Sequence, residues 1–585
     1  MASPPVADFR GHSQNIVRNF LQTIVVVDDR AYFEKTESSV RPTVLASPAR
    51  PSFTEAKKDT SLPDSGAAQP AAPTEISAQN SEPEIEQAKT AEETSEDRAH
   101  EMNAKQLIDS FADRGIACAV FRPSKFEFDE LGKRVHALAG WADVVMLDWV
   151  LHEDTEGKKV KQLIAEIAKK SSEQNRLQLI VIYTGELRLS GIIDEIVKVL
   201  TDSGASRVLR KDDFTVESGA TRITIYGKSN VEREGLAAEL RPRMASLDQL
   251  PAMVVTEFTN MTAGLISNVA LDSLAALRSN THRILAKFNP AMDAPFLAHR
   301  AMLDQPDDAS NLLVQLITGE LTAVLEGNEV GKVADAIPDL DVIKAWISNN
   351  EAEGYDFAKR FGAGKQANAL DQLNTLLRKG VLDETLQAPF DSFKKDPHKK
   401  DLTKKLASPS ESAPNLEHQF AVLTTLKSNY RSETNLPLLF PGTLVKEVPA
   451  RGAEASYLMC TQPICDCLRI KETRSFPFLR LRPATENAPA FDLILPDDGA
   501  YVRVRLEYSP YTSKVIDFDP SESLHAILSQ LQDGNVIFTA TNGTAFKWIA
   551  ELKFEQTQRI VNNYAAQVAR VGLDESEWLR RWAKR

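Results

Sequence analysis

The sequence predicts a doubly wound α/β domain around a parallel five-stranded sheet, then an all-α region, then a mostly antiparallel α+β C-terminal domain. Three observations lead to this prediction. Apolar β-branched runs alternate with helical segments over the first 230 positions. Apolar residues then recur at helical spacing to about residue 388, and strands around tight turns follow. The length of 585 residues accommodates on the order of four domains.

The first domain is predicted from unbroken apolar runs, which are typical of strands buried on both faces of a parallel sheet. Its predicted strands lie at residues 24–27, 116–121, 143–148, 177–184 and 221–227, with an extra β segment at 206–214. Its predicted helices lie at 103–114, 126–138, 157–170 and 189–200. We therefore assign residues 1–35 and 101–230 to one domain.

Residues 36–100 interrupt this domain with a different composition. The segment contains seven of the thirty prolines, one aromatic residue (Phe53), and 12 acidic against 6 basic residues. Such a chain cannot bury enough apolar surface to offset its ordering entropy. We predict a disordered acidic insertion inside the first domain.

The rest of the chain is predicted as a helical region at 231–388, a lysine- and proline-rich linker at 389–414 and a C-terminal domain at 415–585. An apolar stripe through Val254, Phe258, Met261, Leu265 and Val269 predicts a helical-bundle core, with a dimerising or signal-transmitting helix as the alternative. In the C-terminal domain, hairpins are predicted around 496–499 and around Asn542-Gly543, with a helix at 551–570.

Composition excludes several classes of protein. No apolar run reaches the length of a membrane span, and the N-terminus lacks an apolar signal-peptide core. Four cysteines exclude a disulfide scaffold, and the spacing of Cys460, Cys465 and Cys467 is not that of a zinc site. The net charge of −13 counts against a nucleic-acid partner. We expect a cytoplasmic protein without a membrane partner.

Polar side chains end the predicted parallel strands. Asp28 and Asp29 follow the first strand, Asp148 ends the third, Thr184 ends the fourth, and Lys228 follows the last. Open α/β sheets bind ligands at this edge. Clustered carboxylates repel one another and favour a hard cation such as Mg²⁺, and a hydroxyl and an ammonium suit the oxygens of a transferred phosphoryl group.

These residues resemble the receiver domain of two-component response regulators. The resemblance rests on the sequences 25–29 (VVVDD), 144–151 (VVMLDWVL) and 181–185 (VIYTG), and on the lysine after the last strand. It implies a flavodoxin-like fold, with Asp148 as phosphoacceptor. Asp28, Asp29, Asp148 and the backbone carbonyl of Val150 would bind Mg²⁺. Thr184 would be the switch hydroxyl and Lys228 the phosphate-contacting lysine, with Lys211 as the alternative.

The sequence departs from the family pattern at four places, one of which is Gly157, which stands one residue later than the family's glycine. His152 stands where the family usually has proline, and Ser229 replaces the proline after the lysine. The position three residues before Lys228 is not aromatic, whereas Tyr226 lies two residues before it.

The resemblance implies a phosphoacceptor that takes a phosphoryl group from a sensor histidine kinase. The layout, with the segments 294–303 and 571–578, is similar to the response receiver proteins of bacterial conflict systems, in particular Detocs-type buffer proteins. That similarity implies a phosphate sink in antiviral defence beside a second receiver-bearing effector. We expect no catalytic activity beyond phosphoryl acceptance and dephosphorylation at Asp148. The alternatives are an effector enzyme with its activity in the C-terminal domain, and a phosphorylation-dependent scaffold.

Overall fold

The computed structural model of the chain contains two compact units, residues 1–346 and 347–585. It describes residues 9–33, 101–123, 128–152, 154, 156–174, 176–186, 189–204, 208–229, 240–262, 264–330, 340–351, 354–362, 368–399, 401–408, 411–431, 435–448, 456–485 and 491–569. The predicted insertion at 36–100 and the segment 571–578 lie outside these residues.

The first unit begins as the alternating pattern predicts. Its elements are α1 (Phe9–Phe20), β1 (Thr23–Val27), β2 (Ala31–Tyr32), β3 (Met102–Asn103), α2 (Ala104–Ala112), β4 (Ala117–Phe121), α3 (Phe128–Ala139), β5 (Val144–Leu147), α4 (Lys158–Glu173), β6 (Gln178–Thr184), α5 (Ser190–Asp202), β7 (Val208–Asp212), β8 (Thr215–Ser218), β9 (Thr221–Lys228) and β10 (Met244–Ala245). The helices α6 (Leu250–Thr262), α7 (Leu265–Lys287), α8 (Asp293–Met302), α9 (Ala309–Gly327) and α10 (Leu340–Glu351) follow, the last spanning the division between the units.

The main sheet runs in the order β4-β1-β5-β6-β9-β8-β7, and β10 pairs with β9. The five strands from β4 to β9 are parallel, as predicted, but the sheet has eight strands rather than five. The additional strands are the antiparallel pair β7 and β8 and the short β10. Of these, β7 lies within the extra β segment predicted at 206–214, whereas β8 lies beyond it.

Two helical layers cover the sheet because successive residues of a strand point to opposite faces. In β1, Val25 and Val27 pack into one core with α3, α4 and α5, whereas Ile24 and Val26 pack into the other with α1, α2 and α6. The unbroken apolar sequence of β1 follows from burial on both faces.

The first helices after the sheet belong to this second core. Val254 and Phe258 of α6 and Leu271 of α7 are buried in the cluster that contains Ile24 and Val26. The helical-bundle interpretation of this stripe was therefore wrong at its N-terminal end. Helical periodicity identifies the apolar face of α6, but that face packs against the sheet and not against other helices.

The second unit combines short helices with an antiparallel sheet. Its helices are α11 (Phe357–Phe361), α12 (Ala369–Lys379), α13 (Asp396–Lys399), α14 (Leu402–Leu406), α15 (Ala413–Thr425) and, at the end, α16 (Phe554–Val568). Within the segment predicted as a linker, Phe390 and Phe393 are buried against Phe361. These residues therefore contribute to a small aromatic core.

Nine strands of this unit lie in one sheet in the described part of the chain. They are β11 (Thr443–Glu447), β12 (Ser456–Cys460), β13 (Arg474–Pro483), β14 (Leu493–Asp497), β15 (Ala500–Glu507), β16 (Lys514–Phe518), β17 (Gln530–Gln532), β18 (Asn535–Thr539) and β19 (Ala545–Glu551). The predicted hairpins are confirmed as the antiparallel pairs β14–β15 and β18–β19. Of the helices described, none has the length and apolar composition that a membrane crossing requires.

Candidate functional site

The carboxyl edge of the parallel sheet collects the polar residues that end its strands. Asp28 follows β1, Asp148 follows β5, and Thr184 and Lys228 are the last residues of β6 and β9. The strand register brings them to one edge, because Val27 pairs with Leu147. Each of these polar residues is either the last residue of an apolar strand or the first residue after one. All of them therefore reach the same edge when the strands pair in parallel.

Lys228 joins two of the carboxylates. Its Nζ lies 2.9 Å from Asp28 Oδ2 and 2.9 Å from Asp148 Oδ2. All three side chains are at most 2% exposed. The alternative lysine, Lys211, lies on β7 in partly exposed contact with Glu217 at 3.3 Å. Lys228 is therefore the lysine at this edge.

The electrostatics of the group leave an excess of negative charge. Burial, together with the neighbouring Asp28 carboxylate, outweighs the lowering effect of the Lys228 ammonium, so the pKa of Asp148 is raised to about 7. Burial lowers the pKa of Lys228, but the two carboxylates outweigh that effect and raise it above its ordinary value. One buried ammonium thus faces two carboxylates, and a further cation would balance the group.

Asp29 is held by a different partner, His152. The backbone N–H of His152 donates to Asp29 Oδ2 over 3.0 Å, and His152 Nδ1 lies 3.3 Å from the same oxygen. The backbone of His152 has a φ of 55°, a left-handed conformation that is uncommon for a residue with a side chain. The sequence singled out His152 only as a departure from the family pattern, and its contact with Asp29 was not foreseen.

Two carboxylate oxygens remain unpaired at this edge. Asp29 Oδ1 and Asp148 Oδ1 are buried and have no hydrogen-bond partner, whereas Asp28 Oδ1 accepts the N–H of Arg30 at 2.8 Å. Among the described residues, no three Asp, Glu, His or Cys side chains are grouped closely enough to hold a metal ion alone. Mg²⁺ commonly binds one or two carboxylates together with waters and phosphate oxygens. The two unpaired oxygens fit that smaller donor set.

The loop after Asp148 is held by close packing. The Val150 N–H donates to the Asp148 carboxylate, and Val150 is buried. A Cβ built on Gly157 would lie 2.5 Å from the Trp149 ring, and Gly157 has a φ of 62°. Glycine is therefore required where the loop enters α4.

Thr184 is fully buried at the end of β6. Its Oγ1 accepts the backbone N–H of Glu186 at 3.2 Å, so the hydroxyl retains its own hydrogen for donation. The structure places this hydroxyl at the same sheet edge as Asp148, because the strand that it ends pairs with β5.

A buried acidic residue connects β9 to α6. Glu257 accepts the Tyr226 hydroxyl at 2.7 Å and the Arg222 Nε–H at 3.0 Å, and Arg243 NH1 lies 3.2 Å from it. Tyr226 is two residues from Lys228 in the same strand. Tyr226 stands out in the sequence as the aromatic residue near Lys228, whereas Glu257 has no local signal, because it lies on α6 and not on β9.

The comparison with known families agrees with this geometry. The family model of the response receiver domain matches residues 20–233, which is less than half of the chain and contains every residue of the site described above except Arg243 and Glu257. No curated protein and no solved structure matches the chain. The match supports a receiver domain in the N-terminal part of the chain.

Proposed function

We propose that this protein accepts a phosphoryl group on Asp148 from a phosphohistidine of a sensor histidine kinase. The observation that carries the proposal is the buried contact of Lys228 with both Asp28 and Asp148 at the carboxyl edge of the sheet. In the transfer, a carboxylate oxygen of Asp148 forms a bond to phosphorus while the phosphorus–nitrogen bond to the kinase histidine breaks. The imidazole leaves with the electron pair and takes up a proton.

Each side chain has a role that follows from its position. Asp148 is the nucleophile, and Lys228, which stays charged, would contact the incoming phosphoryl oxygens. Asp28, Asp29 and Asp148, with the Val150 carbonyl, would hold Mg²⁺, which neutralises charge on the phosphoryl oxygens when bound. The Thr184 hydroxyl is available to donate to one of those oxygens, which links phosphorylation to the end of β6.

Incubation with acetyl phosphate and Mg²⁺ tests the acceptor. We expect one phosphoryl group per chain, mapped by mass spectrometry to Asp148 after reduction with borohydride. Asp148→Asn should abolish labelling, and Asp28→Asn and Lys228→Ala should reduce it strongly. The exposed Asp202→Asn provides the matched control and should label like the wild type. Labelling that persists in Asp148→Asn would contradict the assignment.

For the role of the phosphorylated protein, we propose a phosphate sink in a two-component-like antiviral defence system. The support is the similarity of residues 294–303, which lie mostly on α8, to the downstream region of the conflict-system proteins. A sink must lose its phosphoryl group and accept another. We therefore expect repeated turnover of acetyl phosphate, measured as phosphate released per chain, and no turnover in Asp148→Asn.

The same preparation separates the alternatives. An effector enzyme would gain hydrolysis of nucleotides or nucleic acid on phosphorylation, and a scaffold would retain a long-lived phosphoryl group while binding a partner. A single turnover with a stable product would contradict the sink while leaving phosphoacceptance intact.

A further inference from the structure

The segment that follows the last parallel strand returns to the edge of the sheet that carries Asp148. Its short strand β10 lies along β9 in parallel register, with Met244 beside Gly227 and Ala245 beside Lys228. Ala245 is fully buried in the core on that face of the sheet. This strand lies beyond the region that the family model matches. Residues outside the matched region therefore form part of the surroundings of Lys228.

The carbonyl of Ala245 accepts two hydrogen bonds from residues around Lys228. The Tyr183 hydroxyl donates to it over 3.0 Å, and the backbone N–H of Ser229 also donates to it over 3.0 Å. A carbonyl oxygen has two lone pairs, so both bonds can form together. Ser229 stands where the family usually has proline, which has no N–H to donate. This departure from the family pattern thus supplies one of the bonds that hold β10 in place.

Tyr183 also lies against the ammonium of Lys228. The Lys228 Nζ lies over the Tyr183 ring, 5.7 Å from its centre. An ammonium within about 6 Å of an aromatic ring is attracted to its π electrons, and most strongly where water is excluded. Both side chains are buried. The ring therefore favours the position in which Nζ lies 2.9 Å from both Asp28 and Asp148.

The position of Nζ needs support because the lysine side chain is long and flexible. Holding it in one conformation costs entropy, and each fixed neighbour that excludes other conformations lowers that cost during the reaction. Tyr183 is such a neighbour, because its ring is packed in the core and its hydroxyl is bonded to the Ala245 carbonyl. Lys228 is thus held between a fixed ring and two carboxylates.

We propose that Tyr183 is a positioning residue for phosphoryl transfer to Asp148, and that β10 fixes it through the Ala245 carbonyl. The proposal rests on the proposed function and adds a residue to the same site. Tyr183 acts through Lys228, because it keeps the ammonium where the incoming phosphoryl oxygens meet it.

A double-mutant cycle in the full-length protein tests the proposal, with the rate of labelling by acetyl phosphate and Mg²⁺ as the readout. Tyr183→Phe keeps the ring and loses the hydroxyl, and we expect labelling to slow about 3-fold. Tyr183→Leu loses both and should slow labelling about 30-fold. In a Lys228→Ala background, Tyr183→Leu should change the remaining rate by less than about 2-fold, because the ring then has no ammonium to hold. A merely structural role would lower the rate by the same factor in both backgrounds.

Tyr355→Phe is the matched control for the loss of a hydroxyl. Tyr355 is also buried, and its hydroxyl donates over 3.0 Å to a backbone carbonyl, that of Lys405, in the second unit. This variant should label like the wild type. Circular dichroism checks that every variant is folded, and Tyr183→Phe, which preserves the shape of the side chain, carries the cycle should Tyr183→Leu fail to fold.

Hydrogen exchange separates this proposal from the proposed function. A wild type that takes up no label contradicts phosphoacceptance, and the same cycle is then measured as protection of the β9 peptides, which requires no phosphoryl transfer. We expect Tyr183→Leu to lower that protection more in the wild-type background than in the Lys228→Ala background. Equal effects of the Tyr183 substitution in the two backgrounds would overturn the positioning role.

Discussion

Replacement of Lys228 by methionine removes the only ammonium that the structure places on the Asp28 and Asp148 carboxylates within the described residues. Methionine has a similar length, so the main change is the loss of charge. Breaking a buried ion pair by removing one partner costs about 3–5 kcal/mol, because an uncompensated charge remains in a dry site. We expect a local loss of stability of that size around β1, β5 and β9.

The loss should depend on pH. Burial and the Asp28 carboxylate raise the pKa of Asp148 to about 7 even with the Lys228 ammonium beside it, so removing the lysine moves that pKa still higher. A carboxyl whose folded pKa is raised binds more protons in the folded state, and the folded state loses stability as pH rises through that pKa. The Lys228→Met deficit should therefore be small at acid pH and large above neutral pH. Mg²⁺ should recover part of it by binding the folded state.

Hydrogen exchange measured by mass spectrometry on the full chain reports this locally, without requiring a single unfolding transition of the two units. Peptides covering β5 should exchange faster in Lys228→Met than in the wild type, and peptides of the second unit should not change. Lys211→Met removes a partly exposed lysine and should cost under about 1 kcal/mol. Equal protection of β5 in Lys228→Met and the wild type above pH 7 would refute the reasoning.

Four other outcomes follow from the geometry. His152→Ala should weaken Mg²⁺ binding by roughly 10-fold in a fluorescence titration, because the imidazole contact that orients the neighbouring carboxylate is lost; unchanged affinity would contradict this. Gly157→Ala should destabilise the first unit by about 2–4 kcal/mol, measured by hydrogen exchange of the β5 peptides, because the new Cβ would clash with the Trp149 ring. Gly204→Ala has a similar φ but open space around it and should cost about 1 kcal/mol. Equal costs for the two variants would exclude the steric argument. Glu257→Gln should speed hydrogen exchange in α6, because the buried Arg222–Glu257 ion pair is broken. Phosphoryl labelling of Asp148 by acetyl phosphate should not change. A loss of labelling would indicate a direct role of Glu257 at the site. Mg²⁺ affinity should fall as pH drops below about 7, because the proton on Asp148 must leave before the metal binds; calorimetry that finds no such fall would show that Asp148 is already ionised.

Much of the site could be predicted because its residues mark the ends of strongly apolar strands. The runs before Asp28 and Asp148 identify two strands, and parallel pairing brings their carboxyl ends to one edge. The hairpin at Asn542-Gly543 could likewise be predicted, because the residues of the turn itself favour its backbone conformation. In each case a few neighbouring residues carry the whole signal.

Other features could not be predicted, because they depend on residues far apart in the chain. Helical spacing identified an apolar face on α6, but not the sheet against which Phe258 packs. The contact between His152 and Asp29 joins positions 123 apart, and the left-handed backbone of His152 has no signature in its residue type. Glu257 is an ordinary helical residue until Tyr226 and Arg222 are brought beside it.

Local apolar runs and turns encode where the five parallel strands lie and which polar residues, Asp28 and Asp148 among them, stand at their ends, so these features could be predicted from the sequence. The tertiary structure decided between Lys228 and Lys211, because both lysines end or lie on strands and only the folded sheet brings one of them to Asp28 across 200 positions. It also decided which apolar helices are covered and which remain exposed. The physical reason is that periodicity encodes which face of an element is apolar, whereas the long-range packing of the chain determines what that face meets.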